Sequence, residues 1–124
     1  MTHDKPAYHT LVVDDELDVC FLLKSILKLK DTSVACAGTI NQAKAELSRQ
    51  QPDIVFLDNY LPDGVGMDLI RYVKDNFPQT KIIMISAQDS AANQRRAIQF
   101  GAQKFLPKPF IVDELDNTLH DLYD

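Results

Sequence analysis

Five residues with chemistry to offer stand at or just after short apolar runs. Asp14 and Asp15 follow Leu11-Val12-Val13, and Asp58 follows Ile54-Val55-Phe56-Leu57. Ser86 closes Ile82-Ile83-Met84-Ile85, and Lys108 follows Phe105-Leu106-Pro107. If one cleft gathers them, three carboxylates repel each other, and a hard divalent cation is the natural relief. Mg²⁺ takes a few carboxylates, retained waters and phosphate oxygens. Zn²⁺ would want Cys or His, and neither stands near these positions. Lys108 is a compact cation able to pair with Asp58 or with a phosphoryl oxygen, and Ser86 offers a hydroxyl donor to the same oxygen. The set suits phosphoryl transfer. Asp58 would be the nucleophile, attacking phosphorus in line, with the cations neutralising the transferring group. A carboxylate is already ionised at neutral pH, so no general base is needed.

These groups meet only if the fold carries the ends of separate strands to one edge. Short β-branched runs alternate here with longer amphipathic stretches. Strands are expected at Tyr8 to Val13, Ser33 to Ala37, Ile54 to Asp58, Lys81 to Ser86 and Gln103 to Leu106. The first helix runs from Leu17 to about Lys30, with Val19, Leu22, Leu23, Ile26 and Leu27 at helical spacing. The second opens on the capping box Thr39-x-x-Gln42 and ends near Gln50, before Pro52. The turn-rich Leu61-Pro62-Asp63-Gly64-Val65-Gly66 precedes a helix from about Met67 to Phe77, stopped by Pro78. Ser90 caps a helix to about Phe100, with Gly101 at its end, and a last helix starts near Val112 with Leu115, Leu119 and Leu122 on one face. Five β/α units result. Runs apolar on both faces belong inside a parallel sheet covered by helices on both sides. Such sheets bind ligands beyond the carboxyl ends of their strands, where the residues above stand.

In order along the chain, Val12-Val13-Asp14-Asp15-Glu16, Pro52-Asp53-Ile54-Val55-Phe56-Leu57-Asp58, Leu61-Pro62 with Gly66, Met84-Ile85-Ser86-Ala87, and Gly101-Ala102 with Phe105-Leu106-Pro107-Lys108-Pro109-Phe110 resemble the receiver domain of two-component response regulators, of the chemotaxis-regulator type. The ordered set covers essentially the whole chain. The resemblance implies a flavodoxin-like doubly wound (βα)5 fold with a parallel sheet in order 2-1-3-4-5. It implies that Asp58 takes a phosphoryl group from a phosphohistidine of a sensor kinase or a histidine phosphotransfer protein. It implies Mg²⁺ (or Mn²⁺) held by Asp15, Asp58 and the backbone carbonyl of Tyr60, with Asp14 acting through water. Ser86, Ala87 and Lys108 would bind the phosphoryl group, and Ser86 and Phe105 would move together on activation. A cis Lys108-Pro109 bond is implied, with Pro62 and Gly66 as structural positions. The output face, and a dimer contact, would be built from the fourth helix, fifth strand and fifth helix, toward a partner or effector domain the sequence does not name. Such a chain is a signalling domain, catalysing only its own phosphorylation and dephosphorylation.

The rest of the chain fits a single domain spanning residues 1–124, with its core from about residue 8 and a flexible tail over 1–7. Of 124 residues, 45% are apolar and 25% charged, an ordinary globular mix. The net charge of -5 argues against direct nucleic-acid binding and against anionic membrane surfaces. No apolar run approaches a spanning helix and the first residues are polar, so a cytoplasmic location is expected. Cys20 and Cys36 are too few for a disulfide framework and lie in apolar segments, so both are expected as small buried hydrophobes. His3, His9 and His120 show no ligand spacing.

Rival readings are weaker. Haloacid-dehalogenase-like phosphatases carry a second Asp two residues after the nucleophile, where this chain has Tyr60. A flavin module would meet repulsion between Asp14-Asp15-Glu16 and the flavin phosphate. A receiver-like domain that is never phosphorylated would lack one of the acidic or lysine positions. Taken singly, an Asp-Asp pair is more often a helix cap, Ser86 a backbone-bonded hydroxyl and Lys108 a surface lysine. Phe105 serves packing as readily as switching, and it lacks the hydroxyl of the tyrosine common at its position. Two residues after Asp58, the Tyr60 ring could shield the phosphoryl group from water or simply point into solvent.

Overall fold

Each apolar run becomes a strand and each amphipathic stretch a helix. The computed structural model describes residues 7–123. β1 (Tyr8–Val13) leads through α1 (Leu17–Lys28), β2 (Thr32–Ala37) and α2 (Ile40–Arg49) to β3 (Ile54–Asp58). A small antiparallel ribbon of β4 (Tyr60–Leu61) and β5 (Gly64–Val65) follows. The chain continues through α3 (Gly66–Asn76), β6 (Lys81–Ser86), α4 (Ala91–Phe100), β7 (Lys104–Pro107) and α5 (Val112–Tyr123). The main sheet is parallel in order β2-β1-β3-β6-β7. With the ribbon left out of the numbering, this is the expected 2-1-3-4-5 order of a flavodoxin-like doubly wound fold. The tail expected at the N-terminus lies outside the described residues through residue 6, as does His3.

Side-chain alternation divides the core. Leu11, Val13, Val55, Leu57, Ile82 and Met84 pack toward α2, α3 and α4, while Val12, Ile54, Phe56, Ile83 and Ile85 pack toward α1 and α5. Burying one such side chain is worth roughly 1.5–3 kcal/mol, so both faces of the central strands contribute. Leu115 anchors α5 in the second layer, with Leu119 and Leu122 against it, as their spacing predicts. Only Ala97 of α4 is buried.

Local signals decide the element ends. Thr39 Oγ1 accepts the Gln42 N–H at 3.0 Å, as the capping box predicts. The reciprocal arm differs: Gln42 Oε1 reaches the Gly38 N–H at 2.8 Å. The Asp63 carboxylate adds a second cap across the fold, accepting the Ile40 and Asn41 N–H groups at 2.8 and 3.0 Å. Those bonds hold its carboxyl below the usual range. Ser90 Oγ accepts the Asn93 N–H, and Gly101, at φ 123°, ends α4 in a conformation that L side chains resist.

The cysteines depart from expectation. Cys20 is buried on α1, but Cys36 is exposed on β2, and their sulfurs are joined in a disulfide. Their Cα atoms lie 6.2 Å apart, within the span a disulfide bridges. The helix-to-strand packing that creates this proximity leaves no trace in a spacing of 16 residues.

Candidate functional site

The sheet carries Asp14, Asp58, Ser86 and Lys108 to one edge. Parallel pairing sets Val13 beside Leu57 and Asp58 beside Ile85, so β1, β3 and β6 end together. Ser86 pairs with Pro107 across β6 and β7, and the Lys108 N–H donates to the Ser86 carbonyl at 2.9 Å. That bond holds the backbone of Lys108 over the strand ends. The Lys108-Pro109 peptide is cis.

The Lys108 ammonium is the centre of the charge arrangement. Its Nζ lies 2.6 Å from Asp14 Oδ2, 3.0 Å from Glu16 Oε1 and 3.7 Å from Asp58 Oδ2. Asp14 and Asp58 are buried, at 3% and 6% exposure, so these charges meet where water screens them little. Burial alone would lower the Lys108 pKa, but the three carboxylates outweigh it and hold the ammonium above its ordinary range. Asp58 is pushed up to about 6, first by burial and then by Asp14; Lys108 and the backbone N–H groups of Asn59 and Tyr60 pull the other way.

Oxygens of Asp14, Glu16 and Asp58 lie within 4.8 Å of one another, a group that could hold a metal ion. Every donor is a carboxylate oxygen, the set a hard cation takes. A cleft of about 380 Å³ opens beside it, lined by Asp15, Glu16, Asp58, Tyr60, Ser86, Ala87, Gln88 and Lys108. Asp15 is exposed and lines this cleft, while Glu16 supplies the third carboxylate of the cluster. Ser86 is buried, its Oγ accepts the Gln88 N–H at 3.0 Å, and both residues line the cleft. Tyr60 is 55% exposed. Phe105 stands apart from the carboxylates, half-buried against the α2–α4 layer beside Ile98 and Gln94 of α4.

Gly66 is required by close approach. A Cβ there would overlap the Asp58 carbonyl oxygen. The Gly66 N–H donates to the Asn59 carbonyl at 2.7 Å, and Asn59 Oδ1 accepts the Met67 N–H at 3.1 Å. The start of α3 is thereby drawn under the loop that carries Asp58. Pro62 is exposed at the turn of the ribbon.

The sequence profile of the response regulator receiver domain matches residues 10–120. The chain belongs to this family. It is 37% identical over 99 residues to the response regulator protein PilR of Pseudomonas aeruginosa, covering 80% of this chain and 22% of that protein. It is 34% identical over 110 residues to the regulatory protein LuxO of Vibrio cholerae, covering 89% and 24%. Among solved structures, the signal receiver domain of a putative LuxO repressor protein from Vibrio parahaemolyticus superposes with a TM-score of 0.83 at 28% identity, over 94% of this chain and 97% of that one. The chain thus spans under a quarter of the length of these two curated relatives.

The contacts of three residues around the receiver site escape a reading of the sequence. Glu16 reads as a helix-start acid favoured by the helix dipole. It is the N-cap of α1, but its side chain makes no cap bond and reaches Lys108 instead. Asp63 reads as part of a turn-rich loop and Asn59 carries no expectation, yet each ties the loop after Asp58 to a helix start. Only the fold supplies those partners. No helix among the described residues is long and apolar enough to cross a membrane.

Proposed function

We propose that this receiver domain is a phosphorylation switch in which Asp58 accepts a phosphoryl group from a phosphohistidine of a sensor kinase or histidine phosphotransfer protein. The observation carrying this reading is the buried Asp58 carboxylate at the end of β3, facing the Lys108 ammonium across an acidic, open cleft. An Asp58 oxygen forms the new bond to phosphorus as the phosphorus–nitrogen bond breaks. The electron pair stays on the imidazole nitrogen, which takes up a proton. With a pKa of about 6, Asp58 is mostly ionised at neutral pH and needs no base.

Lys108 would pair with an oxygen of the bound phosphoryl group, exchanging part of its contact with Asp14 and Glu16 for it. Ser86 and the backbone at Ala87 would receive another oxygen from the β6 side. The all-oxygen donor set fits Mg²⁺ or Mn²⁺. Asp15, Asp58 and the Tyr60 carbonyl would hold the cation, with Asp14 acting through water. Such a cation supplies charge neutralisation to the transferring oxygens. The Tyr60 ring, at the cleft wall, would restrict water.

Phosphorylation adds roughly 1.5 to 2 negative charges if serine phosphate is a guide. Readout would run through Ser86 and Phe105 to the face built from α4, β7 and α5, as a shift between populations. Ile98, Phe100, Ile111 and Val112 expose apolar surface in that region, which suits a partner, an effector domain or a second copy.

The test is covalent. The full chain is incubated with Mg²⁺ and a small acyl phosphate, and the product is examined by intact-mass and peptide analysis. One phosphoryl group on Asp58, absent from Asp58→Asn, is expected. Phosphate elsewhere, or no addition, contradicts the reading.

A further inference from the structure

Cys20 and Cys36 join two elements that frame the acidic loop. Cys20 lies one turn into α1, and its N–H donates to the Glu16 carbonyl at 3.5 Å. Cys36 lies on β2, the edge strand, opposite Val12 of β1. The next residue, Ala37, accepts the Asp14 N–H at 2.9 Å. The disulfide therefore closes a ring: down the chain from Asp14 through Glu16 to Cys20, across to Cys36, and back from Ala37 to Asp14 by a hydrogen bond. This ring encloses the loop whose Asp14 and Glu16 hold Lys108.

We propose that Cys20 and Cys36 form a reversible dithiol–disulfide modification site, oxidised by a hydroperoxide, that stiffens the Asp14–Glu16 loop. The two thiols differ in access. Cys36 is exposed on an edge strand, whereas Cys20 is 7% exposed beneath it. A domain with two filled core layers needs no staple, so the bridge is free to act as a switch. Accessibility assigns the order of events. The Cys36 thiolate attacks a hydroperoxide oxygen, the oxygen–oxygen bond breaks, and the alcohol (water, for hydrogen peroxide) leaves with a proton. The Cys36 sulfenic acid is then attacked by the Cys20 thiolate. The sulfur–sulfur bond forms and hydroxide leaves, protonated to water. Both sulfurs are oxidised by one equivalent each, and the peroxide is reduced by two electrons. A dithiol reductant reverses the bridge by attack at Cys36. The site stands on the cysteine geometry alone and is independent of phosphorylation.

The experiment uses the folded full chain. Reduced protein is treated with hydrogen peroxide, then alkylated and weighed intact. Loss of both alkylation sites without dimer formation is expected, with full recovery under dithiothreitol. In Cys20→Ser, dimedone should trap the Cys36 sulfenic acid; in Cys36→Ser, trapping at Cys20 should be slower. Amide exchange of Glu16, Val19 and Cys20 should slow by about tenfold on oxidation, local opening being what the ring suppresses. Thiols that stay free under peroxide overturn the proposal, as does a bridge that dithiothreitol cannot open until the chain unfolds. Equal exchange rates in the two redox states overturn the stiffening.

Discussion

Lys108 and Glu16, 92 residues apart in the chain, meet at 3.0 Å above the carboxylates of the receiver cleft. The pair is unequal in exposure, 11% for the Lys108 side chain and 63% for Glu16. Removing either partner should therefore have very different effects. Glu16→Gln removes a screened surface charge and should change stability by under ~1 kcal/mol. Lys108→Ala strands the buried Asp14 carboxylate and should destabilise by about 3 kcal/mol near neutral pH. Urea unfolding of both variants measures the contrast. Equal losses would show that Lys108 does not neutralise Asp14.

Asp58 gives a pH signature in metal-free buffer. Its folded pKa, about 6, is above the ordinary carboxyl value, so folding favours its protonated form. That contribution is fully present below the unfolded pKa, near 3.9, and is lost as pH rises through about 6. Asp58→Asn removes the penalty. The variant should be more stable than the parent at pH 8, by roughly 1–2 kcal/mol after a discount for solvent screening, and the gap should shrink toward pH 4.5. A gap that does not vary with pH would contradict the shift.

Gly66→Ala should disturb the site through the backbone. The new Cβ meets the Asp58 carbonyl oxygen and must push β3 and α3 apart. A loss of about 2 kcal/mol is expected, with displaced NMR signals at Asn59 and Tyr60. Unchanged stability and unchanged shifts would mean that the close approach is relieved elsewhere.

Tyr60→Ala should speed loss of phosphate from Asp58 severalfold if the residue, which lines the cleft, shields the proposed phosphoryl group from water. Dephosphorylation followed by mass spectrometry gives the rate. An unchanged rate means the ring serves only as exposed surface.

Much of this is legible in the sequence because short apolar runs and longer stretches at helical spacing alternate along the chain. Runs such as Ile82 to Ile85 have both faces apolar and lie fully buried between two helical layers. Strand ends then had to converge, which is why Asp14, Asp58, Ser86 and Lys108 could be grouped without coordinates. The remainder depended on contacts between distant elements. Glu16 looked like a helix-start acid until Lys108 arrived from the far end of the chain. Asp63 caps α2 across 23 residues, and Cys36 meets Cys20 only because α1 packs along β2. Spacing along the chain carries no record of such meetings.

The central claim, that Asp58 is the phosphoacceptor, is tested most directly with a phosphate mimic. Beryllofluoride and Mg²⁺ are added to the labelled protein and amide shifts are followed by NMR. The account predicts shifts around Asp58, Ser86 and Lys108 that extend to Phe105 and vanish in Asp58→Asn. No shifts in the parent, or the same shifts in Asp58→Asn, would contradict it.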